Sequence, residues 1–322
     1  MKGHIVLVLL VAITQVQISI LVRPSWMTKN VLIVIGVIAG LVAILVIVIS
    51  IAVIFGKAGS TTLSTYTWYH VAFVYNYQTS QQIIYLDGVQ DAIRSGVTTP
   101  YLGTNGSMYF GYSQLLGSSN YYGFIDNAQL TTRAKSSTEI LNDATQVFYY
   151  SFDQPNPYYD NGPNRLNATA TSNLASASGH LGQAVRFTST SISRLRLRYG
   201  TQGYPMLGLS YSGQIAAQLQ QSSPVNVWMT IFGPFISVNT WTHLACTFSV
   251  TNGFILYVNG ASLYAITGIA TYYFNYNLQT IQLGTSNGGG YIPSNGFQGS
   301  LDELYAYRRE LSATEILALA SV

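Results

Sequence analysis

A single cysteine, Cys246, stands in the 322 residues, so no intrachain disulfide can form and any core must hold by its size rather than by covalent staples. In its apolar, alternating stretch after His243 the thiol reads as a small packed hydrophobe. Charge is equally scarce, at 8% of residues. The formal net charge of +3 misleads, because Lys2, Arg23, Lys29 and Lys57 all lie near the N-terminus; without them the 14 basic residues fall to 10, against 11 acids. A nucleic-acid binder needs a basic face to neutralise phosphates, so nucleic acid is not a partner this composition serves. Helical periodicity is nearly absent beyond Lys57, confined to two short stretches opening at Ser136 and Ser312.

What the chain does have is a long uncharged run, residues 31–55, with Gly36 and Gly40 spaced as in helix-packing faces. It is long enough to cross about 30 Å of hydrocarbon with some tilt, and predicts a transmembrane helix. Residues 1–30 precede it and contain a weaker apolar run, residues 5–22, interrupted by Gln15 and Gln17; this reads as a signal peptide, a second weak span or an upstream extension. Arg23 and Lys29 before the strong span outweigh Lys57 after it, so the bulk of the chain is expected outside the cell in a type II orientation at the plasma membrane. Two glycosylation sequons, at Asn105 and Asn167, fit that expectation.

The remainder is internally repeated at a spacing of about 173 to 176 residues. Trp68, His70 and Ala72 return as Trp241, His243 and Ala245; Tyr85, Asp87 and Gly88 return as Tyr257, Asn259 and Gly260. Both copies close on a Ser with Glu three residues later, Ser136 with Glu139 and Ser312 with Glu315, which is the capping box of a short helix. Short runs rich in aromatic and β-branched residues, bounded by Asp-Gly or Asn-Gly, predict strands joined by two-residue hairpins. Counting back from Tyr149 by one repeat falls before Met1, so residues 58–143 hold only the second half of a unit that is complete over residues 147–322.

The complete unit opens with Tyr149-Tyr150-Ser151-Phe152-Asp153, continues through Asp160-Asn161-Gly162 and Gln183-Ala184-Val185-Arg186-Phe187, and closes with Gly299-Ser300-Leu301-Asp302-Glu303-Leu304. In that order the pieces resemble the laminin-G-like domains of the concanavalin A-like lectin/glucanase superfamily. The resemblance implies an all-β fold, a two-sheet antiparallel jelly-roll sandwich with one complete and one half unit behind the transmembrane helix. It also implies a binding role, towards glycans or extracellular proteins, and a calcium ion at Asp160, Gly162 and Asp302, where carboxylate and carbonyl oxygens from two loops can converge. The bland alternative is that Asp160 caps a turn and Asp302 bonds backbone.

Catalysis is not expected. Glucanases of this superfamily set alternate acids on one strand face, whereas the adjacent pair Asp302-Glu303 should point to opposite faces by strand alternation. Arg194, Arg196 and Arg198 alternate with Leu195 and Leu197, so their guanidinium groups should share one face as an anion-binding row for sulfated glycans. His70 and His243 recur at equivalent places and read as structural. Tyrosine pairs such as Tyr158-Tyr159 offer ring area to sugars or to sandwich edges alike. A second function class also stands: a surface protein that self-associates through its open half-repeat, whose strand edges need cover.

Overall fold

The computed structural model describes residues 3–9, 57–58, 60–64, 67–96, 112–113, 119–120, 125, 129, 131, 133–189, 193–198, 205–221, 227–268, 281–285, 288–294 and 296–321. The expected span at residues 31–55 lies outside them, as does Asn105. Among the described residues no helix is long and apolar enough to cross a membrane. The chain forms two compact units, one of Met1–Thr14 with Gln146–Val322 and the other of Gln15–Thr145.

The N-terminus gives β1 (Gly3–Leu9). The Gln15–Thr145 unit gives β2 (Lys57–Ala58), β3 (Thr61–Thr62), β4 (Val71–Asn76), β5 (Gln81–Leu86), β6 (Val89–Ser95), β7 (Tyr112–Ser113), β8 (Ser119–Asn120) and α1 (Ser137–Thr145). The Gln146–Val322 segment begins with β9 (Gln146–Tyr150), β10 (Ala170–Ser172), β11 (Leu174–Ser178), β12 (Gln183–Phe187), β13 (Arg194–Arg198) and β14 (Leu207–Leu209). It continues with β15 (Gln214–Gln221), β16 (Val227–Phe235), β17 (Trp241–Ser249), β18 (Gly253–Val258), β19 (Ala261–Ile266), β20 (Ile281–Leu283), β21 (Gly299–Tyr307) and α2 (Ala313–Ala320).

One large sheet runs β11-β12-β21-β1-β17-β18-β19, with β9 also on β21; two smaller sheets, β10-β13-β20 and β14-β15-β16, complete the sandwich. Leu244, Leu256 and Leu301 of the large sheet meet Leu195, Leu283, Ile215 and Ile231 of the small ones in a single core. Each such leucine, fully withdrawn from water, contributes roughly 1.5–3 kcal/mol. β17 and β21 are buried along nearly their whole length rather than alternately. Their outer faces are covered too, by a second cluster in which Ala245, Tyr257 and Tyr307 pack with Leu311 and Ile316 around α2. The all-β expectation holds in these sheets, with one surprise: Gly3–Leu9, read as part of an apolar leader or weak span, is a strand paired in parallel with both β17 and β21.

The repeat is geometric as well as sequential. Asp87 and Gly88 turn β5 into β6 with φ of 49° and 82°, and Asn259 and Gly260 turn β18 into β19 with 49° and 79°. Asp87 Oδ1 accepts from His70 N at 2.9 Å, and Asn259 Oδ1 accepts from His243 N at 3.0 Å. Both capping boxes form, each gripped by an arginine three residues before the cap: Arg133 Nη1 donates to Glu139 at 3.0 Å and Arg309 Nη1 to Glu315 at 2.9 Å. The shared histidine is thus a strand-start residue whose backbone the turn holds.

Candidate functional site

Ile231 and Gly233 of β16 face the core, and strand alternation places Trp228, Thr230 and Phe232 on the outer face of the β14-β15-β16 sheet. Opposite them in register stand Gln220, Gln218 and Ala216 of β15, whose odd-numbered neighbours Ile215, Ala217 and Leu219 fill the core. Gln218 is fully buried on this outer face, which its hydrogen bonds make tolerable. Its Nε2 donates to Pro205 O at 2.9 Å and Gly289 O at 2.8 Å, while Oε1 accepts from Tyr291 N at 3.0 Å.

That amide fastens a tight turn over the sheet, closed by Gly289 N to Ile292 O at 3.0 Å and the reverse bond at 3.2 Å. Gly288, Gly289 and Gly290 have φ of 73°, 150° and 58°. A Cβ on Gly289 or Gly290 would stand 3.3 or 3.0 Å from the Trp228 indole, so glycine is what lets the turn backbone lie against that ring. The turn then presents Tyr291, 52% exposed, edge-on to Phe232 with centroids 5.1 Å apart at 78°. On the same face the Thr230 hydroxyl is buried without a protein partner. The result is an aromatic face of half-exposed rings held in place from beneath by a buried, fully bonded amide. It offers fixed apolar ring area and the Tyr291 hydroxyl, a combination that suits the apolar faces of a hydroxylated ligand.

The residues singled out in the sequence go elsewhere. Asp160 Oδ1 accepts from Tyr149 N at 2.8 Å and Gly162 N at 2.7 Å, and Oδ2 from Leu166 N at 2.7 Å. Asp302 Oδ2 accepts from Leu181 N at 3.0 Å and Oδ1 from Glu303 N at 3.0 Å, and the carboxylate also accepts from the His180 amide. Each carboxylate so fills about three of its four acceptor positions with backbone amides, from different loops. Among the described residues no group of three or more His, Cys, Asp or Glu side chains is placed to hold a metal. This is the geometry of turn capping. Asn167 is exposed, but its Oδ1 already accepts from Asp160 N at 2.9 Å.

Leu195 and Leu197 of β13 point into the core as the alternation requires. Arg194 is exposed, whereas Arg196 gives Nε and Nη2 to Gln282 Oε1 at 3.1 and 2.9 Å; the Arg198 side chain lies outside the description. The row is therefore partly committed to the sheet itself.

One expectation is corrected. Asp302 and Glu303 do not fall on opposite faces, because Glu303 sits at φ 51° where the β1-β21 register slips by a residue. Both acids lie by His180. Burial, with the neighbouring Glu303 charge behind it, pushes Asp302 up to about 6. Burial also raises Glu303, whose carboxylate accepts from Tyr149 Oη at 3.0 Å and Tyr305 Oη at 2.5 Å beneath their stacked rings. Asp302 holds the 179–182 loop down: it accepts from Leu181 N, and a Cβ on Gly179 would stand 2.5 Å from its Oδ2. Beside it, His180, Trp241, His243 and Asn259 line a cleft of about 60 Å³ closed by Leu319 and Ala320.

The family described as the concanavalin A-like lectin/glucanases superfamily, of laminin-G type, matches residues 54–141 and 178–317, more than half of the chain. The chain belongs to this family. Among solved structures it is similar to domain 4 of AbnA, an extracellular arabinanase from Geobacillus stearothermophilus, in complex with arabinotriose. Identity there is 21% over 54% of this chain and 98% of that one, with a TM-score of 0.37. It is also similar to the binding domain of Paraclostridial Mosquitocidal Protein 1, at 14% identity over 55% of this chain and 52% of the other, with a TM-score of 0.42. Among curated proteins, none matches this chain.

Proposed function

We propose that this protein is a non-catalytic, extracellular glycan-binding protein that takes sugar on the outer face of the β14-β15-β16 sheet. The observation that carries the reading is the aromatic face itself, with Trp228 backed by a glycine turn and Phe232 and Tyr291 left half-exposed edge to face. Membership of a lectin and glucanase superfamily supports the class of ligand. The absence of catalysis is supported by the burial of Asp302, engaged by backbone amides, and of Glu303, engaged by tyrosine hydroxyls. Because Arg196 is tied to Gln282, neutral rather than sulfated glycans are the proposed ligands. The apolar run 31–55 is the segment we propose attaches the protein to a membrane.

The test is a glycan array probed with the full chain, followed by titration of the best ligand against Phe232→Ala and Tyr291→Ala. Each substitution removes a half-exposed ring, so the fold should hold while affinity falls by at least about tenfold, on the order of 1.4 kcal/mol. An array without hits, or equal affinity in both variants, would reject the reading.

A further inference from the structure

The aromatic face does not stop at Phe232. Strand alternation alone would turn Phe235 towards the core, where Ile231 and Gly233 already point. A β-bulge prevents this: Phe232 pairs with Ala216 and Phe235 with Gln214, so Gly233 and Pro234 on β16 stand against Ile215 alone on β15. Pro234 has no amide to give a regular ladder and suits the bulge. Partners across a ladder share a face, and Ile215 fills the core, so Gln214 and Phe235 lie on the outer face with Phe232. Ile236, next along the chain, packs on the core as that placement requires. Phe235 is 63% exposed. At the same end of the sheet Tyr211 is 78% exposed, in the β14-β15 turn that Ser210 N closes by donating to Gln214 O at 2.8 Å.

Gln218 fixes the Tyr291 amide at the level of Thr230, so the exposed rings run from Tyr291 through Phe232 to Phe235 along one strand. Phe232 to Phe235 alone covers up to about 10 Å at roughly 3.3 Å per residue, more than the width of one sugar ring. The polar groups beneath are taken up. Gln218 is spent on the glycine turn, while Gln214 gives Nε2 to Gly233 O at 3.5 Å and its Oε1 accepts from Ser212 Oγ at 3.2 Å. Recognition therefore falls to ring contacts, each weak alone and cumulative along a repeating ligand. Charge adds nothing, since from Tyr199 to Leu301 the sequence holds no Asp, Glu, Lys or Arg; β14, β15, β16, β20 and the glycine turn are all uncharged. We infer that the site takes an internal stretch of an extended neutral polysaccharide, laid along β16 from Tyr291 over Phe232 to Phe235, rather than a single terminal sugar. The inference rests on the glycan reading and adds the form of the ligand to it.

The test is calorimetric titration of the full chain with unbranched glucose, xylose, mannose and arabinose oligosaccharides, each as a ladder from the single sugar to the hexamer. Affinity in the best ladder should rise at least about tenfold along its length, because successive units add contacts. It should change less than about twofold between low and high salt, because no charge is there to be screened. Phe235→Ala removes an exposed ring, so the fold should hold; hexamer affinity should fall at least about fivefold while the shortest bound oligomer changes less than about twofold. Phe235→Tyr, which keeps the ring, should bind the hexamer like the parent, and Phe232→Ala should weaken every length. A hexamer bound no more tightly than its single sugar, or by Phe235→Ala as tightly as by the parent, would overturn the inference and leave the glycan reading standing. Failure of that reading looks different: no oligomer binds, or Phe232→Ala binds every length like the parent, and the inference falls with it.

Discussion

His243 is 95% withdrawn from solvent by its 5% exposure, and neither ring nitrogen is bonded. Burial first, and the nearby His180 second, push its pKa down to about 4. A histidine depressed on folding favours the unfolded chain once protonated. Its stabilising share is therefore intact above its unfolded value of about 6.5 and lost as pH falls towards 4, by up to about 3 kcal/mol. Asp302 has the opposite slope, since a carboxyl raised to about 6 is most comfortable protonated and costs stability as pH climbs from the ordinary carboxylate range through that value. His243→Leu replaces an unbonded ring by an apolar side chain, so at neutral pH it should change stability by less than about 1 kcal/mol. Melting temperatures between about pH 4.5 and 7.5 should then decline less towards acid than in the parent. Parallel curves would show that His243 is not the buried neutral ring described.

At the scale of elements, the two hairpin turns rest on the two terminal helices in the same manner. A Cβ on Gly88 would stand 2.7 Å from Leu141 Cδ1, and one on Gly260 would stand 2.7 Å from Leu317 Cδ1. Both glycines also need positive φ. Alanine at either should cost at least about 1–2 kcal/mol by urea unfolding, and nearly the same at both, because turn and helix contact are duplicated together. A loss at only one would mean that the copies have diverged in packing. Gln218 is the corresponding element-scale device of the aromatic face. Gln218→Leu strands two carbonyls and an amide, at about 1–3 kcal/mol for each group left unsatisfied, and frees the turn that carries Tyr291. Loss of both stability and glycan affinity is expected from one substitution, measured by melting and by titration. Stability lost without affinity would detach the turn from the site.

For the whole molecule, the decisive contact is β1 in the large sheet. Gly3–Leu9 and β17 share a ladder, so they lie on one side of any bilayer. A single crossing by residues 31–55 places them on opposite sides, and the apolar residues left between Leu9 and Arg23 are too few to supply a second crossing of about 30 Å. The type II expectation and this strand pairing predict opposite placements of the two termini. Epitope tags at the two termini of the full chain should accordingly be reached from the same side in sealed cells. Tags on opposite sides would mean that β1 does not complete the sheet.

Local chemistry alone determined the all-β class, the duplicated hairpins and the capping boxes, since Asp87-Gly88, Asn259-Gly260 and the Ser-x-x-Glu pairs act within a few residues of themselves. It also told which face of β13 is apolar, because side-chain alternation is intrinsic to a strand. What it could not tell was where distant segments meet. Trp228, Thr230 and Phe232 become a site only when the glycine turn from residues 288–292, held by Gln218, folds over them. Asp302 and Glu303 share a side only because a register slip puts Glu303 at positive φ. Residues 5–22 read alike as a signal peptide, a weak span or an upstream extension, because hydrophobicity in one dimension is the same for a membrane span and a central strand; only the pairing of Gly3–Leu9 with β17 and β21 separates them.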